Sequence, residues 1–178
     1  ELIDDIQAAI EPRQIALLNT DVYPDGVKIH LSAGAPVTTG EDEENLLLAV
    51  REIADKERAL PLHIGVTRGP VFAGDVGTVF RRGYTVMGDQ VNLAARLMSR
   101  AAPHQILVTE AVLRGSRTLF ETRSLEPFTV KGKAKPVIAH ELGAPRGIRN
   151  DASGLDAPFV GREEEMRSLS DRWAEVRS

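Results

Sequence analysis

The sequence predicts a layered α/β or α+β sandwich, on three observations. Short β-type segments alternate with segments of helical periodicity along the chain. Gly- and Pro-containing turns punctuate the boundaries between them. Hydrophobic residues make up 42% of the 178 residues, enough for a real core and too many for a disordered chain.

The elements follow in order. Residues 1–10 read as a helix with Leu2, Ile3, Ile6 and Ile10 near one face. Ile15 to Val22 and Val27 to Leu31 read as strands. Tyr23-Pro24-Asp25-Gly26 joins them as a turn, in which Pro presets one dihedral and Gly tolerates positive φ. Gly34-Ala35-Pro36 ends the unit. Glu41 to Glu57 reads as a helix, acidic in its first turn as the helix dipole prefers, with Leu46, Leu47, Val50, Ile53 and Ala54 as its apolar face.

Leu62 to Thr67 is the next strand, with a turn at Gly69-Pro70. Val71 to Val76 continues as a strand, Phe80 to Gly83 reads as a basic loop, and Tyr84 to Met87 as a strand. Gly88 opens a helix running to about Ala102. Ile106 to Thr109 reads as a strand and Glu110 to Arg114 as a short helix. Phe120 to Glu126, Phe128 to Val130 and Val137 to Leu142 form a last strand-rich segment. Residues 1–143 thus read as one domain and residues 144–158, rich in Gly, Pro, Ala and Asp, as a linker. Residues 159–178 read as the first helix of a further module, with Met166, Leu169, Trp173 and Val176 as a stripe that needs a partner. The chain reads as an excerpt of a longer protein.

Composition excludes several chemistries. With no Cys there is no disulfide framework, no Cys-ligated zinc and no thiolate nucleophile. No apolar run approaches the ~18 residues of a membrane span and no signal peptide is visible, which points to a cytoplasmic setting. The four histidines, His30, His63, His104 and His140, lack metal-site spacing. No Gly-Lys-Ser/Thr ends a glycine loop, so there is no Walker-type phosphate loop. The net charge of −4 hides an asymmetry: residues 1–57 carry 13 Asp+Glu against 4 Lys+Arg, and the remainder is net basic. A basic half suggests an anionic partner. Only 5 Phe, 2 Tyr and 1 Trp are present, with no interleaved aromatic–basic strand, so a nucleic-acid-binding module is disfavoured.

The chemistry concentrates between Tyr84 and Leu97. The segment reads as strand, glycine turn and helix. Asn92 and Arg96 are four apart and share a helix face, while Val91, Ala94, Ala95 and Met98 are placed to pack the other side. An amide that donates and accepts, beside a planar guanidinium, suits a sugar and a phosphate. On spacing alone, a helix with ordinary surface polar groups explains the pair as well.

The residues carry more than the spacing. Tyr84-Thr85-Val86-Met87-Gly88-Asp89-Gln90-Val91-Asn92-Leu93-Ala94-Ala95-Arg96-Leu97 resembles the class III adenylyl and guanylyl cyclase family at its most diagnostic point. Ile64-Gly65-Val66-Thr67-Arg68-Gly69-Pro70-Val71-Phe72-Ala73-Gly74-Asp75-Val76-Gly77 resembles the family's glycine-rich hairpin. Val130-Lys131-Gly132-Lys133 and Val137 to Leu142 resemble its closing strands. Phe159-Val160-Gly161-Arg162-Glu163 resembles the opening of the AAA-type ATPase modules that follow such domains in bacterial multi-domain proteins.

The resemblance implies a ferredoxin-like α+β sandwich lacking its first strand and part of its first helices. It implies conversion of ATP to 3′,5′-cyclic AMP and pyrophosphate in signal transduction. Dimerisation would be head to tail, with a homodimer or another cyclase domain completing each site. Arg96 matches the family's transition-state arginine, Asn92 the asparagine that orients the ribose, and Lys131 the lysine that grips the terminal phosphates, with Lys133 beside it. Thr85 falls where the family reads the purine, and a Thr there favours ATP. Two Mg²⁺ or Mn²⁺ ions are expected from the family. One metal aspartate would lie upstream of Glu1, and the other aligns with Val27, which offers no oxygen ligand. Asp25 substitutes only if the hairpin slips by two residues, which preserves side-chain direction; Asp21 is a further candidate. The base-reading lysine of the family has no counterpart, with Tyr23 and Asn19 nearby. A catalytically silent homologue that binds nucleotide or a partner and regulates an attached ATPase is the alternative.

Overall fold

Ile6, Ala9 and Ile10 bury one side of the first helix, α1 (Leu2–Ile10), against α2 (Asp42–Asp55), in a computed structural model that describes residues 2–24, 26–56, 60–129 and 136–149 with 167, 168 and 171. Ile3, grouped with this face by periodicity, is exposed. Between the helices the chain forms β1 (Ala16–Tyr23) and β2 (Gly26–Ser32), an antiparallel hairpin. Leu17, Ile29 and Leu31 pack from this hairpin onto the cluster of Ile6, Ala9, Ile10, Ile15, Ala49 and Ile53.

The remaining strands are β3 (His63–Val66), β4 (Phe72–Thr78), β5 (Arg81–Met87), β6 (Gln105–Thr109), β7 (Thr118–Ser124) and β8 (Ala139–Ile148). Helix α3 (Asp89–Arg100) precedes β6 and α4 (Glu110–Gly115) follows it. Four strands form one sheet in the order β3-β6-β8-β7, with β3 and β6 parallel and the other neighbours antiparallel. Strand β6 is buried on both faces: Ile106 and Val108 meet Leu47, Val50 and Val112 on the α2 and α4 side, while Leu107 meets Leu97 of α3. A strand covered on both faces reads as the continuous apolar run found at 106–108.

Two boundaries differ from the sequence expectation by more than two residues. The basic stretch after Phe80 is not a loop: Arg81, Arg82 and Gly83 pair with Thr78, Gly77 and Val76. Both faces of that hairpin are largely open to water, so charged side chains do not oppose strand pairing there. Strand β8 runs to Ile148, past the expected end of the domain at residue 143. Pro145 sits opposite Phe120, where the ladder with β7 is irregular, so a residue without an N–H is accommodated. A second unit spans 149–178, of which Arg149 and the helical Arg167, Ser168 and Asp171 are described. Most of the linker and of the expected terminal helix, with Met166, Leu169, Trp173 and Val176, lies outside the described residues. Among the described residues no helix is long and apolar enough to cross a membrane.

Candidate functional site

Helix α3 presents Asn92 and Arg96 one turn apart on its exposed face. The residues that anchor the opposite face are Leu93 and Leu97, both buried; Val91, Ala94, Ala95 and Met98 are half-buried flanks rather than the anchor. The helix lies close on β3 because Gly65 has no side chain. A Cβ at Gly65 would stand 2.2 Å from the Ala94 carbonyl oxygen and 2.5 Å from the Met98 nitrogen. The Thr67 hydroxyl donates to the Gln90 carbonyl at 2.9 Å, pinning the first turn of α3 to the end of β3.

Thr85 is half-buried on β5, opposite Gly74 of β4, just before the Gly88 turn into α3. Chain continuity thus brings Thr85 to the foot of the helix that carries Asn92 and Arg96. Lys131 and Lys133 lie outside the described residues, as does Asp25. The residues flanking the lysine segment are fixed. Phe128 and Val137 exchange both backbone hydrogen bonds, at 3.1 and 2.9 Å. Spacing also carried a signal that the sequence reading passed over. Arg100 continues the Asn92–Arg96 row by one further turn, and its Cζ stands 4.4 Å from the centroid of the Phe128 ring.

The β1–β2 hairpin has two distinct faces. Cross-strand pairs Thr20–Ile29 and Val22–Val27 share one face; Asn19–His30, Asp21–Lys28 and Tyr23–Gly26 share the other. On the second face Asn19 Nδ2 donates to Asp21 Oδ1 at 3.0 Å, His30 Nε2 stands 3.9 Å from Asp21 Oδ2, and Lys28 Nζ lies 6.0 Å from the Tyr23 ring centroid. Burial, then the Lys28 charge, hold the His30 pKa below its usual value, and Asp21 offsets them only in part.

The ladder from Asn19 to Tyr23 runs without a slip, so Val27 faces Val22. These two are 54% and 79% exposed, an apolar pair where the metal carboxylate was expected. Asp21 points to the opposite face. Among the described residues no group of three His, Asp or Glu could hold a cation. A Mg²⁺ or Mn²⁺ ion needs oxygen ligands, and these residues do not fit one.

Beyond the hairpin, Gly34 (φ +81°) leads into the turn before α2. Asp42 accepts there from the Thr38 hydroxyl and from the Thr39 N–H and hydroxyl, at 2.9 and 3.0 Å for the latter two. Burial pushes the Asp42 pKa up, but these bonds and one from the Gly40 N–H outweigh it and hold the carboxyl below its usual range. A depressed carboxylate pKa contributes stability above its unfolded value, and that contribution is lost as pH falls through the folded one. The expected result is that Asp42→Asn lowers the melting temperature by a constant amount above about pH 5, and that the gap to the native protein closes below about pH 4. Thermal unfolding followed by circular dichroism across that range checks it.

Comparison with known proteins gives the family and the fold. The sequence model described as adenylate and guanylate cyclase catalytic domain matches residues 45–142, more than half of the chain. A protein of Dictyostelium discoideum named aggregation-specific adenylate cyclase is 37% identical over 97 residues, covering 54% of this chain and 7% of that protein. An uncharacterised protein of Mycobacterium tuberculosis is 38% identical over 112 residues, covering 58% of this chain and 20% of that protein. The chain therefore spans well under two thirds of the length of either relative. The guanylate cyclase domain of a Catenaria anguillulae protein, solved in complex with GTP, superposes with a TM-score of 0.70 at 20% identity, over 82% of this chain and 81% of that one. That likeness establishes the fold.

Proposed function

The chain belongs to the adenylate and guanylate cyclase catalytic domain family, and from that premise we propose that it acts on ATP, forming 3′,5′-cyclic AMP and pyrophosphate. The observation that carries this reading is the exposed Asn92–Arg96 pair on α3, one glycine turn after Thr85, inside the matched segment. In the reaction the ribose 3′-oxygen attacks the α-phosphorus, the bond to pyrophosphate breaks, and the 3′-hydroxyl proton leaves to solvent. Asn92 holds the ribose so that this oxygen is in line. Arg96 donates to the non-bridging oxygens as negative charge grows on them, which lowers the barrier more than it tightens ground-state binding. The Thr85 hydroxyl meets the purine edge, and Lys131 the terminal phosphates.

The site is read as shared with a second cyclase domain, a homodimer or a heterologous pair. Exposed apolar residues on the β4–β5 hairpin support pairing: Val79 and Phe80 at its tip, the latter 98% exposed, and the cross-strand pair Phe72–Met87 at its base. A two-stranded hairpin alone is marginal in water and gains by being covered. An ATPase module beginning at about residue 159 and a cytoplasmic, signal-transducing role complete the reading.

A second reading has its own observation. Val27, which aligns with the family's metal aspartate, faces Val22 and offers no carboxylate at that position, which favours a domain that binds nucleotide without turnover and regulates its neighbour. Incubation of the full protein with ATP or GTP, with Mg²⁺ and with Mn²⁺, separates the two. Cyclic AMP from ATP in preference to cyclic GMP from GTP is the expected result. Binding of ATP by calorimetry with no cyclic product under any of these conditions supports the silent reading and overturns the first.

A further inference from the structure

We propose that Arg100 is a phosphate-binding residue, taking oxygens of the terminal phosphates of a nucleoside triphosphate whose sugar and α-phosphate lie at Asn92 and Arg96; this rests on the reading of α3 as the nucleotide-binding helix.

Three observations carry it. Asn92, Arg96 and Arg100 recur at four-residue spacing, and all three are exposed, so they form one row along α3. Each step along the row is about 6 Å of helix rise, of the same order as the run of a triphosphate from its α to its terminal phosphorus. The row thus gives a polyphosphate a direction, from Arg96 towards the C-terminus of α3.

The second observation is the stack on Phe128. The Arg100 Cζ lies 4.4 Å from the ring centroid. A guanidinium held face-on to an aromatic ring uses its π-face and leaves its in-plane N–H donors for an oxyanion. Phe128 is itself held. Its backbone exchanges hydrogen bonds with Val137, and its side chain packs against the cluster of Leu97, Ala101, Leu107 and Ala139. The stack therefore limits the side-chain freedom that phosphate binding would otherwise have to remove.

The third is charge. Among the described residues no carboxylate pairs with Arg100, whereas Arg123, Arg146, Arg114 and Arg117 each meet a glutamate. A cation in the last turn of a helix also interacts favourably with the dipole. That role, with the ring stack, predicts a contribution to stability but no preference among nucleotides, and the test uses the difference.

Calorimetry on the full protein with Mg²⁺ present compares ATP with AMP, which share base, ribose and α-phosphate. Arg100→Ala is expected to weaken ATP by about tenfold or more while AMP is unchanged, in line with losing a charge-assisted hydrogen bond. Phe128→Leu, which keeps the apolar packing but not the ring face, is expected to weaken ATP by a smaller factor in the same direction. Unchanged ATP affinity in Arg100→Ala, or an equal loss for ATP and AMP, overturns the proposal. The parallel variant Arg96→Ala separates this from the reading beneath it. ATP weakened by Arg96→Ala but not by Arg100→Ala removes Arg100 alone. Native protein that binds neither ATP nor GTP removes the nucleotide reading itself.

Discussion

Gly65→Ala is expected to unfold the protein or to displace α3 from it, a loss of about 3 kcal/mol or more. The added methyl would meet backbone on two sides, the Ala94 carbonyl and the Met98 nitrogen, and the Leu97 Cβ at 2.9 Å on a third. A flexible side chain could swing away from such an overlap; a helix backbone cannot. Relief requires the whole of α3 to lift from β3, which opens the cluster of Leu97, Ala101, Leu107 and Ala139. The same movement carries Asn92 and Arg96 away, so on the proposed reading nucleotide binding falls with stability. Gly83→Ala is the matching control. Nothing lies within 4 Å of its would-be Cβ. Its effect should stay within about 0.5 kcal/mol. Urea unfolding of the two variants measures the contrast, and similar midpoints for both would refute the close-approach argument.

Arg96→Ala is the second large effect. In protein that forms cyclic AMP, kcat is expected to fall by about 10²–10³-fold with KM little changed, because the interaction strengthens as charge develops. Arg96→Lys is not expected to restore the rate, since a point charge lacks the planar fork of donors. Initial rates of cyclic nucleotide formation at saturating ATP give the answer. A rise in KM with unchanged kcat would instead make Arg96 a ground-state anchor.

The sequence was most legible where one local rule acted without competition. Leu47, Val50, Ile53 and Ala54 gave the buried face of α2 by periodicity, and the triple Ile106–Leu107–Val108 gave a strand covered on both faces. On α3 the stripe Leu93–Leu97–Ala101, at four-residue spacing, is the buried one, whereas the expected Val91, Ala94, Ala95 and Met98 flank it. Periodicity failed at Arg81–Gly83 and past residue 143, where polar and turn-forming residues sit in strands whose partners lie elsewhere in the chain. Asn92, Arg96 and Thr85 stand out through their resemblance to a family; the fold puts the first two on the exposed side of α3 and Thr85 on the strand that leads into it. Arg100 was visible as a third step of the same row. Its meaning depended on Phe128, 28 residues away, which only the fold brings beneath it.

The β4–β5 hairpin has a consequence for local opening. Its strands pair almost only with each other, and most of their side chains face water. Its amides should therefore exchange with solvent through openings that cost far less than global unfolding, while those of β6, sealed between two helical layers, should open only with the whole domain. Thr85 stands in that easily opened hairpin and Asn92 and Arg96 on a helix anchored to the sealed sheet. A purine held at Thr85 would then have to order its own contact, and the free energy of that ordering would be subtracted from the affinity for the base but not from the affinity for the phosphates.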